Sequence, residues 1–340
     1  MKKEIKILDV FYGNKCNLTC NQCDTRSDHI RKGQYDPSID NIKQGIDLAN
    51  QVFDVQKWSV LGGEPLLYLD KVEEIISYIR SIEPNKVIFF PTNGVLLDRH
   101  LDRVVTLVKK YRLWVQVCNH FVNFRDKTKS DKVKENAQEL AKRLELPAAK
   151  DSGQWWREIM DFDSGTAQWK AFTDRKGYDI SEPEPNEKSW INENYGVYYM
   201  EAGEFQTIQK FDESGKPKPF ESNDPEGSYW NSCPSVFCAF LYDKKIYKCA
   251  ALGTLRNFLD THDCLDDPAW KPYLEYQPVD LENLDQQQIN HFGDTHYCHI
   301  NECAMCPNVF TPIKKVEEQV LPIYFKKREH NVISKSPIGT

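Results

Sequence analysis

Apolar residues follow two alternating periods along the first half of the chain. Short stretches rich in β-branched and aromatic residues alternate with stretches in which apolar residues recur every three or four positions, as on one face of a helix. The pattern predicts strands at 4–11, 58–61, 86–90 and 113–117, and helices at 39–53, after Asp70, at 98–110 and at 131–146. Ser38 and Asp70 are the expected N-caps of the first two helices. Strands and helices that alternate at this spacing predict a parallel sheet wrapped by helices, which is an α/β fold.

A loop with unusual composition follows each of these strands. The first loop reads GNKCNLTCNQCDTR, the second Gly-Gly-Glu-Pro, the third Thr-Asn-Gly and the fourth Cys-Asn-His. Because the carboxyl ends of parallel strands meet at one edge of a sheet, and α/β folds build their sites there, we expect the four loops to form one site.

Composition and charge narrow the class of protein. The chain has 340 residues, 40% hydrophobic and 28% charged, which is typical of a globular protein. A net charge of −7 argues against nucleic acid as the main partner, and no apolar run approaches the ~20 residues of a membrane span. Eleven cysteines without a secretion signal indicate a reducing compartment, so we expect a cytoplasmic protein whose cysteines bind metal.

Three of the cysteines lie within eight residues of the first loop. Cys16, Cys20 and Cys23 have the spacing C-x3-C-x2-C, with no histidine between them. A structural zinc site usually has four ligands, so three would leave a position empty unless a distant residue fills it. A four-iron cluster with three cysteine ligands would leave one iron free to bind another molecule.

The cysteine triplet, the Gly-Gly-Glu-Pro motif and the Thr-Asn-Gly motif, in this order after three strands, resemble the radical S-adenosylmethionine (radical SAM) superfamily. The resemblance implies a partial (β/α)6 TIM-like barrel. It also implies that Cys16, Cys20 and Cys23 hold a 4Fe–4S cluster whose fourth iron binds S-adenosylmethionine.

The same resemblance assigns the cofactor-binding residues. Gly62, Gly63, Glu64 and Pro65 would lie against the methionine amine, and Thr92, Asn93 and Asn119 are the further candidates for contact with the cofactor. The family often has an aromatic residue before the third cysteine, near the adenine. Here that residue is Gln22, whose backbone could make this contact but whose side chain could not stack on the base.

A second group of cysteines lies in the last third of the chain. The sequence AFLYDKKIYK between Cys238 and Cys249 predicts two short strands around an Asp243-Lys244 turn, and resembles the hairpin that opens SPASM and twitch extensions. That resemblance implies one auxiliary 4Fe–4S cluster. Its candidate ligands are Cys303 and Cys306, then Cys249, Cys238 and Cys233, with Cys298 as an alternative. A structural zinc site with Cys238, Cys249, Cys303 and Cys306 remains the other interpretation.

These observations predict the organisation and function of the whole chain. We expect a radical SAM core at 1–215 with an irregular aromatic-rich segment at 150–195, an auxiliary-cluster domain at 216–312, and a tail at 313–340. The resemblance implies an enzyme that cleaves S-adenosylmethionine reductively and takes a hydrogen atom from a peptide, a protein side chain or a small molecule, oxidising it. Its reductant would be a flavodoxin or ferredoxin. The alternative is a non-catalytic, metal-stabilised binding protein with a decayed core.

Overall fold

The computed structural model describes residues 2–18, 20, 23–27, 29–121, 127–149, 189–201, 210–233 and 236–308. Gln22, most of the aromatic-rich segment 150–195 and the predicted tail 313–340 lie outside the described residues.

Strands and helices alternate through the first half of the described chain. The strands are β1 Lys3–Phe11, β2 Phe53–Leu61, β3 Val87–Thr92, β4 Leu113–Asn119, β5 Ser189–Ile191, β6 Gly196–Glu201, β7 Lys210–Phe211, β8 Pro217–Lys218, β9 Cys238–Tyr242, β10 Lys245–Tyr247 and β11 Val279–Asp280. The long helices are α1 Ile39–Val52, α2 Leu69–Ile82, α3 Leu97–Tyr111 and α4 Lys127–Arg143. Shorter helices follow at Pro225–Gly227, Ala250–Gly253, Leu255–Thr261, Lys271–Leu274 and Gln286–Thr295. No helix in the described part of the chain has both the length and the apolar character that a membrane crossing needs.

Nine of these strands form one sheet, in the order β11-β10-β9-β1-β2-β3-β4-β6-β5. The six adjacent strands from β9 to β6 are all parallel, which confirms the predicted α/β fold with its parallel sheet. The sequence pattern did not predict that β9 pairs with β1, with Cys238 opposite Ile7. The segment 216–312 therefore shares a sheet with the segment 1–215, and the boundary between them stays a prediction.

The two faces of the sheet differ in composition. One face packs against the long helices through residues such as Leu8, Val60 and Val115, all in the largest apolar cluster. The opposite face carries a smaller apolar cluster and also buries polar side chains, among them Asp9 and Ser59. Burial of both faces explains why the strands read as nearly continuous apolar runs.

The first predicted helix cap is confirmed and the second is wrong. The Ser38 hydroxyl accepts a hydrogen bond from the Asn41 amide at 3.1 Å, at the start of α1. Helix α2 begins earlier than predicted, at Leu69, because a 3-10 turn at Pro65–Leu67 leads almost directly into it. Asp70 therefore lies in the first turn, where its carboxylate is 2.6 Å from Arg103 and complements the positive end of the helix dipole.

The predicted hairpin around Asp243 and Lys244 is confirmed. Both residues have positive φ, 49° and 55°, as a two-residue turn of the mirror-image type requires. The Asp243 carboxylate accepts a hydrogen bond from Asn41 at 3.0 Å. This bond ties the hairpin to α1 and helps to hold β9 against the core sheet.

One backbone position gives a test of this fold. Glu145 follows α4 with φ 56°, and its side chain is exposed, so Glu145→Gly should raise the free energy of unfolding by about 1 kcal/mol. The matched control is Glu135→Gly, at an exposed position inside α4, which should lower it by about 1 kcal/mol. Thermal or chemical denaturation measures both changes. If both variants changed the free energy of unfolding in the same direction, the described end of α4 would be contradicted.

Candidate active site

The cysteine loop and the Gly-Gly-Glu-Pro loop are joined by backbone hydrogen bonds. The Gly63 amide donates to the Gly13 carbonyl and the Glu64 amide donates to the Lys15 carbonyl, both at 2.8 Å. A Cβ atom at Gly63 would lie 2.0 Å from the Lys15 oxygen, and one at Gly62 would lie 2.4 Å from the Gly13 oxygen. The two glycines are therefore required because the two loops are in direct contact, a reason that the sequence alone did not indicate.

The Glu64 carboxylate connects the second loop with the third. It accepts hydrogen bonds from the Thr92 hydroxyl at 2.6 Å, the Asn93 amide at 2.8 Å and the Leu66 amide at 3.2 Å. Burial raises the pKa of Glu64 to about 7, although these three donors favour its charged form. A carboxylate can accept about four hydrogen bonds, so one further donor could still reach it.

Asn93 joins the third loop to the cysteine loop. Its side-chain amide donates to the Asn17 side chain at 2.7 Å and lies 3.9 Å from the Cys16 sulfur. Gly94 follows with φ 74°, and a Cβ atom there would lie 2.6 Å from a methyl group of Val117. The first three predicted loops thus meet at one edge of the sheet.

The cysteine sulfurs of the first loop are partly or fully buried and receive hydrogen bonds. The Leu18 amide donates to the Cys16 sulfur at 3.5 Å and the Ser27 amide donates to the Cys23 sulfur at 3.4 Å. Burial, with smaller contributions from the nearby Cys23 and Glu64, raises the pKa of Cys16 to about 12. Thiolates in such a place need a cation to stabilise them, and amide donors to sulfur are typical of iron–sulfur sites, so this donor set fits a cluster.

The fourth loop contributes differently from the prediction. The Asn119 side-chain amide donates to Ser130 at 2.8 Å and to the Tyr199 hydroxyl at 2.8 Å, and its oxygen accepts from the Phe121 amide at 3.0 Å. Asn119 is fully buried, and these contacts lie on the side of the sheet covered by α4. Its contacts therefore do not support a role in cofactor binding, whereas the neighbouring Cys118 faces the other side of the sheet.

Four of the C-terminal cysteines line one cavity, namely Cys233, Cys249, Cys303 and Cys306. Burial raises the pKa of Cys249 and Cys303 to about 11. In the described part of the chain, no three His, Cys, Asp or Glu side chains meet closely enough to hold a single ion. The auxiliary cluster and the zinc site both stay predictions for these cysteines.

The other two candidate ligands in this region do not line the cavity. Cys238, on β9, lies close enough to Asp9 to affect its pKa, as does Ser59. Burial, with a smaller contribution from the negative charge of Asp24, raises the pKa of Asp9 to about 7. Cys298 is close enough to affect the pKa of Lys248, which burial lowers, but its own side chain is exposed.

The N-terminal half of the chain matches a protein family, at residues 10–147. This segment, which is less than half of the chain, matches the model of the Radical SAM superfamily. The match covers the cysteine triplet and both further motifs, and it confirms the resemblance of this segment to that superfamily. The resemblance of the C-terminal hairpin to SPASM and twitch extensions stays a prediction. Members of this superfamily use a 4Fe–4S cluster and S-adenosylmethionine.

Several curated proteins are similar over part of this segment. The "Probable GTP 3',8-cyclase" of Methanococcus maripaludis is 38% identical over 90 residues, which is 26% of this chain and 29% of that protein. The L-lysine 2,3-aminomutase of the same organism is 30% identical over 126 residues, 35% of this chain and 29% of that protein. The GTP 3',8-cyclase of Aquifex aeolicus is 33% identical over 104 residues, 30% of this chain and 32% of that protein. The chain thus spans about a third of the length of these relatives.

Two solved structures are similar over most of the chain, but weakly. BtrN in complex with AdoMet and 2-DOIA has a TM-score of 0.37 and 13% identity, and the match covers 88% of this chain and 93% of that one. Streptococcus suis SuiB bound to the precursor peptide SuiA has a TM-score of 0.33 and 12% identity, with 93% and 74% covered. These similarities are too low to support an argument about ligand or substrate.

Two buried residues at the site were missed by the sequence reasoning. Tyr12 ends the apolar run of β1 and looked like core, yet its hydroxyl donates to the Gly63 carbonyl at 3.0 Å. Arg26 stands at the end of the cysteine loop and is 1% exposed. A single charged residue in a polar loop carries no sequence signal of burial, so only the structure identifies it.

The contact between the two loops can be tested at Gly63. Gly63→Ala should force the loops apart, because its Cβ atom would overlap the Lys15 carbonyl, and should cost about 1–3 kcal/mol of stability and most of the bound iron. Gly45→Ala in α1 is the matched control, since its Cβ atom would lie 3.4 Å from its nearest neighbour. Thermal melting and iron analysis after anaerobic reconstitution measure both effects. Normal iron binding by Gly63→Ala would contradict the described contact.

Proposed function

We propose that this chain is a radical SAM enzyme that oxidises a peptide, a protein side chain or a small molecule, in the cytoplasm. The observation that carries the proposal is the meeting of three motif-bearing loops around the cysteines of the first loop. When bound, the cluster and S-adenosylmethionine supply the reductive cleavage that yields a 5′-deoxyadenosyl radical able to take a hydrogen atom from an unactivated carbon. A flavodoxin or ferredoxin would supply the electron.

The protein residues of the first site would hold and orient these groups. Cys16, Cys20 and Cys23 are the proposed cluster ligands. Glu64 keeps one acceptor position for the methionine amine, while its other hydrogen bonds fix the second loop to Thr92 and Asn93. Burial of this carboxylate excludes water from the place where the amine would bind.

A substrate would approach the face of the sheet that lacks the long helices. Buried polar groups on this face, Asp9, Ser59 and Lys57, offer hydrogen bonds to a polar substrate. Because the pKa of Asp9 is about 7, both of its protonation states are populated near neutral pH, so it could donate or accept a proton. These groups favour a substrate with hydroxyl, amine or amide groups close to the reacting carbon.

The cavity near the C-terminus would hold the auxiliary 4Fe–4S cluster, with Cys233, Cys249, Cys303 and Cys306 as ligands. This ligand set contains Cys233, whereas the zinc interpretation contains Cys238, because Cys233 lines the cavity and Cys238 does not. Such a cluster could accept the electron that a net two-electron oxidation removes from the substrate radical.

Cleavage of the cofactor tests the first site. Anaerobically reconstituted protein, given dithionite and S-adenosylmethionine, should form 5′-deoxyadenosine, measured by mass spectrometry. Cys20→Ala should lower the yield at least about 100-fold, since the cluster loses one of three ligands. The control is Cys264→Ala, whose thiol is buried in an apolar C-terminal cluster and should not affect the yield. Formation of 5′-deoxyadenosine by Cys20→Ala would refute the assignment.

Iron content tests the second site. The native chain should bind about eight irons, and Cys306→Ala should bind about four. Cys238→Ala and Cys298→Ala are the matched controls and should keep about eight, because their thiols do not line the cavity. About four irons together with one zinc in the native chain would favour the zinc interpretation, and iron loss on removal of Cys238 would contradict the proposed ligand set.

A further inference from the structure

Arg26 joins the two cysteine-containing regions. It lies three residues after Cys23, and its amide donates to the Cys23 carbonyl at 3.0 Å. Its side chain crosses to the C-terminal region, where it donates to the Ala251 carbonyl and, at 3.3 Å, to the Thr254 hydroxyl. Its guanidinium also lies 4.9 Å from the centre of the Phe258 ring. Ala251 comes two residues after Cys249, so the guanidinium reaches the cavity region of the second site from the loop of the first.

Arg26 is buried, and none of the described carboxylates forms an ion pair with it. The side chain is 1% exposed, its two hydrogen-bond acceptors are neutral, and its Nε atom has no partner within the described residues. Arginine does not lose its proton in proteins, and a buried cation without negative charge nearby costs several kcal/mol. The fold must therefore supply negative charge close to this position.

The negative groups around Arg26 belong to both cysteine sites. Burial lowers the pKa of Arg26, while Cys306, Cys249 and Cys23 oppose this effect, followed by Asp24. Thiolates that bind a cluster carry the negative charge that neutral thiols lack, so ligand binding at both sites would supply what the buried cation needs.

We propose that Arg26 is the shared counter-charge of the two iron–sulfur clusters and sets both of their reduction potentials. The inference rests on the proposed function, which places a cluster at each site. A fixed cation stabilises the reduced, more negative form of a neighbouring cluster and so raises its potential, and local charge and solvent exposure are the means by which proteins adjust such potentials. Arg26 is thus a positioning and potential-setting residue and need not touch the substrate.

Lys248 is a second buried cation in the C-terminal region and serves as a comparison for Arg26. It is 5% exposed, donates to the His296 carbonyl and lies 4.4 Å from the centre of the Tyr229 ring. It lines the cavity of the C-terminal site together with Cys233, Cys249, Cys303 and Cys306. Removal of this charge should therefore affect one cluster, whereas removal of the Arg26 charge should affect two.

The test is a redox titration of the fully reconstituted protein, followed by electron paramagnetic resonance, with Cys306→Ala used to assign the two signals. Arg26→Gln should lower both midpoint potentials, Lys248→Gln should lower only that of the C-terminal cluster, and Arg26→Lys should keep both near the native values. Arg256→Gln removes an exposed arginine in the helix Leu255–Thr261, which also carries Phe258; it is the surface control and should change neither potential.

Each outcome supports or overturns the inference. If Arg26→Gln binds about eight irons but shifts one potential or none, the inference is wrong while the proposed function stands. If Arg26→Gln fails to bind iron, the Arg26→Lys variant, which keeps the positive charge, decides. Native midpoint potentials in Arg26→Lys support the inference, and a shift in either potential overturns it. A native chain with about four irons and one zinc would refute the second cluster itself. Iron analysis distinguishes this result from the two outcomes above.

Discussion

The backbone hydrogen bonds between the cysteine loop and the Gly-Gly-Glu-Pro loop are the constraint on which the site depends. They continue the pairing of β1 with β2 beyond the ends of both strands, so the cysteines are held by the sheet itself. Any side chain at Gly62 or Gly63 would separate the loops, and Glu64 would then lose its position against Thr92 and Asn93. The part of the cysteine loop from Gly13 to Lys15 is thereby held by the sheet, although its backbone is irregular.

The features that follow from local periodicity could be predicted from the sequence. The strands, the four long helices, the Ser38 cap and the hairpin at Asp243 and Lys244 all depend on residues close to one another in the chain. So do the three motifs, each of which ends a strand. The Asp70 cap was wrong because Pro65 starts a helical turn that moves the beginning of α2 toward the N-terminus, and a nearby proline competes with a capping signal.

The features that depend on contacts distant in sequence could not be predicted. Nothing in the alternation of β9 indicates that it pairs with β1, and this pairing places Cys238 beside Asp9, whereas Cys233, Cys249, Cys303 and Cys306 line the cavity. The direction of Asn119 is a similar case. Its place at the end of β4 was predicted, but alternation along the strand turns its side chain toward α4 and turns Cys118 to the opposite face.

The same pairing of β9 with β1 brings the two cysteine-containing regions close together. Because the C-terminal hairpin joins the sheet next to the strand that precedes the first cysteine loop, the chain after Cys249 packs against that loop. Ile30 from the loop lies in the same apolar cluster as Leu252 and Phe258, and this packing buries the segment that carries Arg26. A buried cation at such a junction would be costly in a fold with one metal site, and two anionic sites on either side of it would offset that cost.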